Sequence, residues 1–178
     1  MMSSEERPLP EWVGSLRPEV AAQLLKVQPS FHSDFRFYPC EVVTDDGTVH
    51  PRVYVVEARS LRKYWGGWPW EEGFGNWLKA ETIQSLRSSP VRLHPELASI
   101  LYDAGESGMA YYAFGVELQD GRRLHHVTLG TVDFPQWRPD VEPSDAVLVY
   151  PHERLPEWAV RAPTEHESGS AYHWAPYR

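Results

Sequence analysis

The chain is short of cysteine, lysine and long apolar runs, and each shortage excludes something. Cys40 is the only cysteine, so no intramolecular disulfide can form, which suits a reducing compartment. Of the 17 basic residues only Lys26, Lys63 and Lys79 are lysines, and no block of cations is present to gather a polyphosphate. Nucleic acid is therefore not expected as a partner. No apolar stretch approaches the ~18 residues needed to cross a bilayer. Residues 1–10 carry Glu5, Glu6 and Arg7 but no apolar signal-peptide core, so a cytoplasmic location away from membranes is expected. HExxH, the P-loop, GxSxG and a GxGxxG that opens a helix are all missing. No cofactor and no metal ion is expected.

What is present is acidic and aromatic. There are 25 acidic residues, a net charge of -8, 8 Trp and 16 Pro. An acidic surface speeds encounter with a basic partner. Arginine in place of lysine, with frequent Trp and Pro, fits a GC-rich bacterial genome. At 178 residues and 42% hydrophobic content, the chain reads as one globular domain over residues 1–163. Residues 1–10 read as a loose segment and residues 164–178 as a tail.

The local signals predict an α+β fold. Pro18 and Glu19 open a helix with Val20, Leu24 and Val27 on one stripe. Pro95 opens a second helix, closed by Gly105. Two Asp-Gly pairs, Asp46-Gly47 and Asp120-Gly121, each join two β-rich runs and predict hairpins over 35–58 and 109–132. With two-residue loops, Cys40 faces Val53, Tyr38 faces Val55, Val42 faces Pro51 and Glu41 faces Arg52. In the second hairpin Tyr112 faces Leu129, Phe114 faces Val127 and Val116 faces His125. A three-residue loop would shift these pairs. Leu78–Arg87 reads as a helix with Asn76 as its N-cap, and Ala146–Tyr150 as a strand. The two hairpins form one antiparallel sheet with two or three short helices on one face. Pro18-Glu19-Val20-Ala21 and Pro95-Glu96-Leu97-Ala98 each precede a hairpin, which raises an internal duplication, although any two hairpins share turn chemistry.

The stretch 64–77 is the most unusual. Trp65, Trp68, Trp70, Phe74 and Trp77 alternate with glycines and flank Glu71-Glu72. Trp and Tyr dominate binding hot spots, so these residues are the expected partner-binding surface; rings folded back into the core are the competing reading. His125 and His126 are strand neighbours and point to opposite faces. The two-residue loop puts His125 on the apolar face and His126 outward. If the chain is an enzyme, His126 with Glu117 or Asp133 is the acid/base set. Glu165, His166, Glu167 and His173 match no zinc spacing, and Cys40 reads as an inert buried thiol.

These features favour a non-enzymatic, acidic protein-binding module of immunity or accessory type that meets a basic protein partner through the Trp-rich loop. A small-molecule or enzymatic pocket near His126, Tyr111 and Glu117, lidded by that loop, is the alternative. A homodimer protomer joined through the loop is a third.

Overall fold

A computed structural model describes residues 8–66, 76–152 and 172–178, and the backbone of 164–166. The fold is α+β, with ten strands β1–β10 and three α-helices among the described residues. Two compact units divide it. Unit one spans Met1–Pro29, Asp34–Ser89 and Tyr172–Arg178; unit two spans Ser30–Ser33 and Pro90–Ala171.

Unit one starts with α1 (Pro18–Leu24), whose first position is proline and whose buried residues are Val20 and Leu24. The first hairpin is β2 (Phe35–Thr44) and β3 (Val49–Glu57). The α2 helix (Ala58–Trp65) leads towards the aromatic stretch, and β4 (Asn76–Trp77) follows it. β5 (Ile83–Ser88) stands where the sequence pattern predicts a helix. Its apolar residues carry a helical spacing, but β2 has an open edge and β5 fills it antiparallel, with Val42 opposite Leu86. Tertiary pairing overrides a propensity that its serines left weak.

The C-terminal strand β10 (His173–Tyr177) corrects the tail expectation for that segment. It runs parallel to β3 on one side and β4 on the other. The α1 stripe Val20, Leu24 and Val27 packs with Tyr38, Cys40, Val42, Val53, Val55, Ile83, Leu86 and Ala175 as one core. The opposite sheet face is aromatic. Trp174 lies 4.9 Å from Tyr54, 6.3 Å from Phe37 and 6.5 Å from Phe35, centroid to centroid.

Unit two holds β1 (Ser30–His32), α3 (Pro95–Ala104), β6 (Tyr111–Leu118), β7 (Arg123–Leu129), β8 (Ala146–Pro151) and β9 (Thr164–His166). Its sheet order is β8-β6-β7-β9. The buried face presents Tyr112, Phe114, Val116 and Leu118 from β6, with Leu124, His126 and Thr128 from β7.

The two units repeat one pattern of pairing. In each, an antiparallel hairpin takes a third strand on its first strand and a parallel strand on its second. β5 meets β2 and β8 meets β6 with the same irregularity, a register shift at Val43/Thr44 and at Glu117/Leu118. The turns match as well. Thr44 N–H donates to Thr48 O and Gly47 N–H to Thr44 O, as Leu118 N–H donates to Arg122 O and Gly121 N–H to Leu118 O. Gly47 and Gly121 take φ of +80° and +83°. These are three-residue loops, in which glycine supplies the left-handed third position.

The extra loop residue changes register by one. In the second hairpin Phe114 pairs with His126, not Val127, and Val116 with Leu124, not His125. A slip of one residue exchanges the faces of a strand. In the first hairpin Val42 meets His50, not Pro51. A β-bulge then places Pro51 and Arg52 together opposite Glu41, and the expected Cys40–Val53 and Tyr38–Val55 pairs reappear beyond it. A bulge is where a strand tolerates proline. Glu41 is paired by Arg87 of β5 at 2.7 Å, in place of the Arg52 pairing the two-residue loop predicts.

Candidate functional site

The expected partner surface is approached from both ends. Glu57 accepts from Arg59 N–H at 3.0 Å and Ser60 N–H at 2.7 Å, capping α2. Gly66 at φ +72° closes it by donating to Arg62 O. Between these caps the helix buries Leu61 and sets Tyr64 and Trp65 at its end. Tyr64 stacks on Phe35, with centroids 4.3 Å apart and planes within 9°. Trp65 packs edge-on against Tyr64 and leaves its side chain 44% exposed. At the other end β4 fixes Trp77, half-buried, beside Trp174 in the sheet register. Trp68, Trp70, Glu71, Glu72 and Phe74 lie outside the described residues. The helix also exposes Arg59 and Lys63, the latter paired with Asp34 at 3.4 Å. Aromatic surface and charge of both signs therefore meet here.

The candidate acid/base residues are placed differently from expectation. His126 is fully buried, flanked by Phe114 at 5.6 Å and by the edge-on ring of Trp137 at 5.5 Å. Neither ring nitrogen has a hydrogen-bond partner among the described residues. Burial, with a smaller push from His125, lowers its pKa to about 3. Glu117 lies on the opposite face of the sheet, half-buried, accepting from Tyr150 OH at 3.3 Å and paired with Arg123 at 3.3 Å. Tyr111 shares that opposite face with Glu117, being six residues away on β6. His126 and the Glu117–Tyr111 pair therefore do not converge on one cleft. A cleft in unit two is lined by Ala104, Gly105, Glu106, Ser107, Pro151 and His152 instead.

Asp133 is buried in a network of its own. Ser30 OH donates to Oδ1 at 2.5 Å, Tyr102 OH to Oδ2 at 2.6 Å, and Arg92 lies 3.2 Å from Oδ1. Tyr102 in turn accepts from Val132 N–H at 3.0 Å. Burial pushes the carboxyl pKa up, against Arg92 and the two hydroxyls, which pull it down. With both carboxylate oxygens accepting hydrogen bonds from Ser30, Arg92 and Tyr102, Asp133 ties together three segments of unit two. His32 adds a half-exposed imidazole, 3.2 Å from Tyr112 OH, with Tyr102 5.7 Å away. Ser30, His32, Arg92 and Tyr102 carry no sequence signal for this role, because β1, the stretch before α3 and α3 itself supply them separately. Cys40 is buried in the unit-one core, opposite Val53.

No family model, no curated protein and no solved structure matches the chain. Among the described residues no helix is long and apolar enough to cross a membrane.

Proposed function

We propose that this protein is an acidic protein-binding module, of immunity or accessory type, whose contact surface is the aromatic stretch 64–77. The observation that carries it is Trp65. An indole 44% exposed on a capped helix, beside the Tyr64–Phe35 stack, is an aromatic anchor in a stretch whose sequence holds four further aromatic residues. Ordered aromatic side chains lose little entropy on binding and make up most hot spots. The net charge of -8 favours a basic partner by long-range attraction. The pocket reading loses support, since His126 and the Glu117–Tyr111 pair occupy opposite faces of the sheet.

A photoreactive residue at position 65 captures the partner in the host cell, and the purified partner is then titrated by calorimetry. Replacing Trp65, Trp68, Trp70, Glu71 and Glu72 with alanine is expected to weaken binding at least about tenfold, roughly 1.4 kcal/mol. Equal affinity for both proteins overturns the proposal. Crosslinking only to a second copy, with a mass by light scattering that rises with concentration, replaces it with the homodimer.

A further inference from the structure

We infer that His50 and His173 form a binding site for one borderline transition-metal ion, such as Zn(II), Ni(II) or Cu(II). The two histidines are remote in sequence, and the fold brings their ring centroids to 4.9 Å with planes at 70°. With Zn–N bonds of ~2.0–2.1 Å and a tetrahedral angle, two imidazole centroids on one ion lie about 5 Å apart. The separation needed for chelation is therefore present without strand movement.

Two features of the backbone create it. Val42 faces His50 and Cys40 faces Val53, so the bulge at Pro51–Arg52 turns His50 to the same sheet face as Val53. His173 is the register partner of Val53 on β10 and shares that face. Bulges re-aim side chains in this way, and the β6–β7 hairpin, with an unbroken register, has none. β10 is held between β3 and β4, which fixes His173, and Asn76 is its register partner on the far side. Both histidines are half-buried and so open to solvent ions. Nitrogen donors suit ions of this class over Mg(II) or Ca(II).

Calorimetry with ZnCl2, NiCl2 and CuCl2 tests the site. One equivalent of at least one ion should bind the wild-type protein and H152A alike. H50A and H173A, checked for native circular dichroism, should each lose tenfold or more in affinity. An H173N variant keeps a polar side chain in β10 and should lose binding equally, which separates ligand loss from damage to the sheet. Absence of binding up to about 1 mM metal, or binding that survives H50A and H173A, overturns the site.

Discussion

An imidazole buried without a partner lowers stability, and a comparison within the chain isolates that cost. His126 pairs with Phe114 in β6, and the corresponding pair in the first hairpin is Val53 with Cys40. Unit one places a fully buried valine there, and unit two a fully buried histidine. Replacing His126 with leucine keeps comparable volume and removes two polar nitrogens that lack partners among the described residues. It should stabilise the protein by about 1 kcal/mol at pH 7. The effect should grow in acid. Folded His126 stays neutral down to about 3, whereas the unfolded side chain takes a proton below the ordinary histidine value of 6.5. Between those two values the unfolded state binds more protons, so wild-type stability falls as pH falls; above 6.5 the group contributes no pH dependence. H126L should therefore gain a further ~2 kcal/mol over wild type at pH 5. Urea unfolding at pH 7 and pH 5 measures both quantities, and parallel pH dependence in the two proteins would refute the assignment. The histidine pair was legible as two opposite-facing residues, but its faces were inverted, because residue type alone does not fix loop length.

That loop length belongs to the element scale, where the chain's punctuation was informative. Pro18 and Pro95 marked helix starts, Gly105 a helix end, and the two Asp-Gly pairs both hairpins. The turns use one design. Asp46 accepts from Thr48 N–H at 3.0 Å and Asp120 from Arg122 N–H at 2.9 Å, two residues on in each case. An aspartate of this kind favours the three-residue loop as readily as the two-residue one, so the registers differ by one from a two-residue count. In unit one the Pro51–Arg52 bulge compensates; in unit two nothing does. Since Gly121 sits at φ +83° with open space around its Cα, alanine there meets backbone strain and no clash. G121A should cost about 1 kcal/mol, and G121N less, since asparagine tolerates the left-handed region. Thermal unfolding of the two variants checks this, and equal melting temperatures for G121A and wild type would contradict the loop geometry. The α2 helix lacked a conventional Ser, Thr, Asp or Asn cap, and Glu57 supplies the acceptor from the last residue of a strand, which hid the helix start.

At the scale of the whole molecule, the sequence showed the local hairpins and missed the long-range pairing. Nothing near His173 announces that this segment runs parallel to β3, because parallel partners need no turn between them and leave no local mark. Five residues containing a proline look like a tail until β3 and β4 are seen on either side. Trp174 shows what that strand contributes. Its side chain is buried against Phe37, Tyr54 and Tyr172 on the aromatic face, while Ala175 enters the core on the other. Truncating it removes the largest ring of the cluster and leaves a cavity among side chains that rigid strands hold apart. Trp174→Ala should therefore cost about 3–5 kcal/mol. The segment's position in the chain then decides how the loss is read. A dispensable tail predicts a change within ~0.5 kcal/mol, the ordinary range for surface substitutions. A central strand predicts the larger loss, together with faster amide exchange at Tyr54 and Val56 of β3, whose backbone groups face β10. Urea unfolding with hydrogen exchange on W174A separates the two outcomes, and a small change in stability with intact protection in β3 would remove β10 from the sheet.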